Sequence, residues 1–258
     1  MIQVFFTGRR LIMTIVVLIG AFLISQLGIW QVSRLNERLA LNEEIVAGLA
    51  ADPLLIDATF SGEDIPEFQR VEVRGTFDTD EEIVWSNRVY QATPGVHVLT
   101  PLRITGSDSA VLVNRGWIPN TESSREARAQ FAPPEGEVVI DGVTRLSQPG
   151  DQGPKDLPLT PDRPRLDSWF HVTIPRIQEQ IDYPILPIVI DQQPAPSDPA
   201  LPARVATVDL LGPGSHLNYA LQWFSFAIIL VVGYIAVTYQ QVKQRDTDAG
   251  SQVPVTGR

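Results

Sequence analysis

Two stretches of this chain carry no charged residue: Leu11–Trp30, 20 residues long, and Leu217–Tyr239, 23 residues long. As helices rising about 1.5 Å per residue, each is long enough to cross the roughly 30 Å hydrocarbon core of a bilayer. The 186 residues between them are enough to bury a core of their own. A purely soluble protein is excluded on this pattern. So is a channel or transporter, because two spans offer little membrane-embedded wall. The expected order is an N-terminal tail 1–10, a first span 11–30, a domain 31–216, a second span 217–239 and a C-terminal tail 240–258.

Charge sets the orientation. The net charge is −10, the N-terminal tail carries +2 from Arg9 and Arg10, and the C-terminal tail carries +1, so the remainder holds −13. Basic residues beside both spans place both termini in the cytoplasm and the acidic domain outside. A surface this acidic is a poor partner for nucleic acid. The chain has no cysteine, which removes disulfides, thiol redox chemistry and cysteine metal sites together. Met1 and Met13 are too few for a soft-metal copper carrier.

The first apolar run exceeds the length of a secretory signal's core, and Leu23-Ile24-Ser25 offers no small-x-small cleavage site. A retained anchor is therefore expected over a cleaved signal, and the arginine pair gives only thin support to a twin-arginine leader. A mitochondrial presequence would be rich in Arg and Ser along an amphipathic helix, so the bacterial plasma membrane is the expected location.

Beyond Trp30 the helical pattern continues through Gln31–Leu49. From Arg70 it gives way to short alternating or β-branched runs between turn residues. Val71–Phe77, Glu82–Val89, Val96–Ile104, Val111–Trp117, Val138–Arg145, Trp169–Val172 and Pro187–Asp191 read as strands. Thr173-Ile174-Pro175 opens a short helix over Arg176–Ile181. The expected fold is two transmembrane α-helices flanking a mainly β extracytoplasmic domain, a sandwich or open barrel, with one or two short helices. Pro149–Pro164, with five prolines, and Gln193–Pro202 read as stiff loops.

Enzyme chemistry finds no foothold. The three histidines, His97, His171 and His216, form no HxH or HxxxH pair. Ser168 lies near His171 but has no glycine-flanked elbow and no identifiable acid. Asp80-Glu81-Glu82 reads as a solvated turn. An extracytoplasmic hydrolase is therefore the weakest reading, and a non-enzyme is expected.

The outer membrane boundary is richer. Gln26, Trp30 and Arg34 share one face of the first helix; His216, Tyr219 and Trp223 share one face of the second, with Gln222 beside them. The aromatics fit an interfacial belt, and Gln26 and Gln222 fit helix-to-helix hydrogen bonds. His216 admits two readings: a cap or interface residue, or an axial ligand for a planar hydrophobic cofactor.

Four segments carry a resemblance that spans nearly the whole chain. They are Gly28-Ile29-Trp30-Gln31-Val32-Ser33-Arg34; Arg74–Asp78 with Pro94–Leu102; Val111–Pro119, reading VLVNRGWIP; and Gly212–Ala227, reading GPGSHLNYALQWFSFA. In this order and topology they resemble the surfeit locus protein family of cytochrome c oxidase assembly factors, and the chain is read as a bacterial member.

The resemblance implies help in placing haem a into subunit I of a haem-copper oxidase, with subunit I, haem a synthase and membrane lipid as partners. By motif position His216 would be the haem-iron ligand. Tyr219 and Trp223 would flank the macrocycle, Trp30 would close the pocket, and Arg34 or Arg115 would pair with the propionates. Arg115 has an alternative role in a strand-end turn with Gly116, and His97 is expected to be structural. The contrasting reading is a cofactor-free membrane scaffold or sensor that holds assembly partners together. The sequence departs from the family pattern at Gly214-Ser215, inserted before His216, and at Arg38, where lysine is common. Pro149–Pro164 matches poorly and is assigned no role.

Overall fold

The computed structural model describes residues 5, 8–60, 65–150 and 153–250, the last six as backbone alone. Parts of both expected tails, including 251–258, and residues 151–152 of the proline-rich loop lie outside the described residues. The chain divides into two compact units, Met1–Leu41 with Gly212–Arg258, and Asn42–Leu211.

The first unit is built from α1 (Gly8–Ala50) as far as Leu41 and from α4 (His216–Gly250), each helix running past the expected span at both ends. Both are long and apolar enough to cross a membrane. They pack antiparallel in a register that holds along their length. Thr14 Oγ1 lies 2.7 Å from the Tyr234 hydroxyl. Gly20 faces Leu230, and Gly28 faces Phe224. Further along, Gln31 meets His216, and Arg38 Nε donates to the Gly212 carbonyl at 3.3 Å. Gly28, Ala220 and Ala227 are buried. Between apolar helices in lipid there is little hydrophobic drive, so small residues that allow close packing hold the pair together.

The second unit contains β1 (Leu54–Ile56), β2 (Arg70–Phe77), β3 (Ile83–Tyr90), β4 (Thr93–Ile104), β5 (Ala110–Pro119), α2 (Arg125–Arg128), β6 (Glu137–Leu146), β7 (Ser168–Trp169), α3 (Ile174–Ile177) and β8 (Ile185–Gln192). Strands β2, β6, β8, β5 and β4 pair in that order, and β4 returns to β2, closing a five-stranded barrel. The closing contact sets Gly75 against Ile104; a Cβ at Gly75 would stand 2.2 Å from the Arg103 carbonyl oxygen, so only glycine lets the two strands cross there. β1 extends β2, while β3 and β7 extend β4.

Alternation fills the barrel from one face of each strand: Val71 and Val73, Leu102 and Ile104, Val111 and Val113, Ile188 and Ile190. A second cluster covers the outside of β4, β5 and β8 with Trp169, Val172, Ile174, Ile177 and Ile181. This is why β5 is buried on both faces from Ala110 to Ile118. Each fully buried aliphatic side chain contributes about 1.5–3 kcal/mol.

The mainly β domain between two apolar helices is as expected, with the barrel closed. Two elements differ from the sequence reading. β1 was not expected. The strand expected at Trp169–Val172 ends at Trp169, because the next N–H groups are taken by side chains: Phe170 and His171 donate to Asp156, and Val172 donates to Gln148 Oε1 at 2.9 Å. Loops of this kind compete with strand pairing.

Candidate functional site

In the helical unit the site is built around one imidazole. His216 opens α4, and its Nδ1 lies 2.9 Å from Gln31 Oε1 on α1. With the amide oxygen as acceptor, Nδ1 is the donating nitrogen, and in the neutral ring Nε2 is then the one with the lone pair. On that edge of the ring stands Gly214, at φ +65°, a conformation glycine adopts without cost. A Cβ at Gly214 would lie 3.4 Å from His216 Cδ2 and 3.7 Å from Nε2, in ordinary van der Waals contact with that edge of the ring. The result is a half-buried imidazole, oriented from behind by a second residue.

The other expected residues are distributed unequally. Trp223 is half-buried and packs edge-on against Phe226, with ring centroids 6.0 Å apart. Trp30 is 55% exposed and Tyr219 49% exposed, whereas the face of α1 that meets α4 carries Gly28 and Gln31. Arg34 pairs with Glu37 one turn along and stays half-exposed. Gln31 was missed by sequence reasoning, although it stands inside the first family-like segment. Its signal is phase: Gln31 follows Gly28 by three positions and shares its face, while Trp30 is offset from Gly28 by about 200°.

Arg115 belongs to the barrel unit and is 3% exposed. Its Nη1 donates to Glu82 Oε2 at 2.8 Å, and Nη2 donates to the Phe131 carbonyl. Glu82 also accepts from Arg128 Nε at 2.9 Å and from the Thr100 hydroxyl at 2.7 Å, and Arg128 reaches on to Asp167. Burial lowers the Arg115 pKa against the raising effect of Glu82. Its guanidinium is thus committed within the domain. Glu82 lies in this buried network instead of in a solvated turn.

His97, half-buried, contacts Asn114 Oδ1 through Nδ1 at 3.0 Å, and Asn114 Nδ2 donates to Asp191 at 2.8 Å. Ser168 is hydrogen-bonded to Ser86, and His171 Nδ1 lies 3.4 Å from Asp156. Neither histidine is placed behind a serine as a base.

An antiparallel pair of membrane-length helices with one oriented imidazole, joined through a closed β-barrel domain, defines a class of two-helix membrane proteins with a single folded domain between the helices. The model of the SURF1 family matches residues 18–228, and the chain belongs to that family. It is 25% identical to a SURF1-like protein of Monosiga brevicollis, over 81% of each chain. It is 26% identical to a SURF1-like protein of Caenorhabditis elegans, covering 89% of this chain and 73% of the relative. It is 27% identical to Surfeit locus protein 1 of Homo sapiens, covering 78% and 69%. These relatives are eukaryotic, and the expectation of a bacterial member finds no support in them.

Proposed function

We propose that this protein is a non-enzymatic assembly factor for a haem-copper cytochrome c oxidase, holding haem a transiently and assisting its insertion into subunit I, with haem a synthase as a second partner. Membership of the SURF1 family supports the assembly role. The observation that carries the haem assignment is the hydrogen bond between His216 Nδ1 and Gln31, which leaves Nε2 available as an axial donor.

The residues present fit such cargo. A single imidazole, held by Gln31 through its other nitrogen, suits a carrier that must release what it binds. Bound haem would supply an iron centre with one open coordination position and an apolar ring. Trp223, two turns along α4 from His216, offers a half-buried aromatic ring, and Tyr219, one turn along, adds exposed apolar surface, whereas Trp30 lies on the face of α1 turned away from α4. Arg34 is the cation we assign to the propionates, since Arg115 is held by Glu82. Both termini are placed on the cytoplasmic side of a plasma membrane, with the barrel outside, from the basic residues Arg9, Arg10 and Lys243.

The test is purification in detergent from cells that make haem a. A Soret band in the purified protein is expected. Its absence, with intact binding to subunit I, would favour the cofactor-free scaffold. A C-terminal reporter fusion checks orientation, and activity confined to the outer side would contradict it.

A further inference from the structure

A bulge in β3 turns an arginine into a cleft of the barrel domain. The strands pair at Trp85↔His97 and again at Arg88↔Gly95, so Ser86 and Asn87 together oppose a single residue of β4. Asn87 sits at φ 60°, in the left-handed region that asparagine tolerates better than most residues. The extra residue redirects Arg88. Its guanidinium carbon lies 3.7 Å from the centroid of the Trp85 ring, and its Nε donates to the Ser86 carbonyl at 3.2 Å. Those contacts meet the charge with the Trp85 ring alone and leave the outer nitrogens of the fork without a hydrogen-bond acceptor among the described residues.

Among the described residues no carboxylate pairs with Arg88, and burial lowers its pKa with nothing acting to raise it. Arg115, Arg128 and Arg165, also shielded, each hold a glutamate, whereas half-buried Arg103 and Arg176 resemble Arg88 in stacking on an aromatic ring with no carboxylate partner among the described residues. A half-buried charge without a counter-ion is costly to maintain.

Arg88 lines a cleft of ≈ 340 Å³ with Asn87, Gln148, Pro154, Phe170 and His171. Gln148 accepts the Val172 N–H through Oε1, which leaves its Nε2 as a donor. Phe170 is 40% exposed and forms an apolar wall. Among the described residues, the carboxylate of Asp156 contacts two residues of the lining and is itself occupied, with its side chain 3% exposed, by the N–H groups of Phe170 and His171 and by the His171 ring.

We infer that this cleft binds a monocarboxylate carried on an apolar body, its two oxygens across the outer nitrogens of Arg88 and its apolar part against Phe170 and Pro154. One unpaired guanidinium balances one negative charge, in the bidentate geometry that arginine and carboxylate share. The negative charge of Asp156, behind Phe170 and His171, weighs more against a dianionic phosphate than against a single negative charge. The site gives the proline-rich loop, through Pro154, a part in ligand binding. It does not depend on the haem assignment.

Calorimetric titration of the full-length protein in detergent tests this, with phenylacetate, its methyl ester and phenylphosphonate as probes at pH 8. Phenylacetate is expected to bind at least tenfold more tightly than the ester and more tightly than phenylphosphonate. Arg88→Gln should weaken phenylacetate at least tenfold and Arg88→Lys by less. A tripeptide ending in phenylalanine, as acid and as amide, separates sources: tighter binding of the peptide acid than of phenylacetate assigns a chain terminus, and weaker binding assigns a small acid. Equal binding of acid and ester, which needs no variant, would overturn the inference. So would tighter phenylphosphonate binding, unchanged affinity in Arg88→Gln, or no binding of either acid.

Discussion

His216 and Gln31 stand 185 positions apart in the chain and 2.9 Å apart in space, Nδ1 to Oε1. The contact ties the start of α4 to α1 and, with the amide oxygen as acceptor, engages Nδ1 as the donor. Register and donor orientation are therefore set by the same pair. The first consequence concerns Gln31 itself. Gln31→Leu removes the acceptor and frees the ring to reorient, so haem affinity should fall about 10–100-fold, the usual cost of losing the partner of a ligating histidine. Gln31→Glu should preserve most of the affinity, because a carboxylate accepts the same hydrogen bond. Soret titration of the purified variants measures both, and equal affinity of wild type and Gln31→Leu would remove the orienting role.

Gly28 controls how closely the helices approach. A Cβ there would lie 2.7 Å from Phe224 Cε1, inside van der Waals contact. Gly28→Ala should destabilise the pair by about 1–3 kcal/mol, the range for overpacking. Gly28→Ala combined with Phe224→Leu should recover most of the loss. Thermal unfolding in detergent reads this, and a single variant as stable as wild type would show that the helices are not held by that contact.

Glu82 holds two arginines below the surface, Arg115 at 2.8 Å and Arg128 at 2.9 Å. Removing one partner of a buried ion network leaves charge uncompensated, at a cost of about 3–5 kcal/mol. Glu82→Gln should lower the melting temperature markedly, and Glu137→Gln, at an exposed pair with Arg74, should change stability by under about 1 kcal/mol. Comparable effects of the two variants would place the network outside the barrel's stability.

His97 gives a pH signature. Burial lowers its pKa below the ordinary value of 6.5, outweighing the raising effects of Asn114 and Asp191. The folded state thus favours the neutral ring. Above the ordinary histidine pKa both folded and unfolded chains hold it neutral and it adds no pH dependence. As pH falls through about 6.5 the unfolded chain takes up the proton first, and stability declines until the lowered folded pKa is passed. Unfolding curves between pH 5 and 8 should show a decline in wild type that is shallower in His97→Asn. Parallel pH profiles would contradict the assignment.

The sequence shows the two spans and six of the strands because charge and period are local properties. It hides what depends on distant partners. The Trp169–Val172 segment has strand composition, yet its N–H groups are taken by Asp156 and Gln148 from the preceding loop. Leu54–Ile56 is too short for alternation to show, and it becomes a strand only because β2 lies beside it. Arg115 has the same appearance whether it meets a ligand or a buried glutamate, and Glu82 is 33 positions away. The helix faces were harder still. Lipid and helix interface are both apolar, so hydrophobicity cannot choose between the Trp30 face and the Gly28–Gln31 face. Small Gly20 and Gly28, with the polar Gln31 in the same phase, mark the true one.

The most direct measurement is the haem a content of His216→Ala, purified from cells that make haem a and compared with wild type and with His97→Ala at equal protein yield. His216→Ala should lose the Soret band while keeping the helix pair folded, and His97→Ala should keep its haem. Full haem occupancy in His216→Ala would contradict the ligand assignment and with it the role of the Gln31 contact.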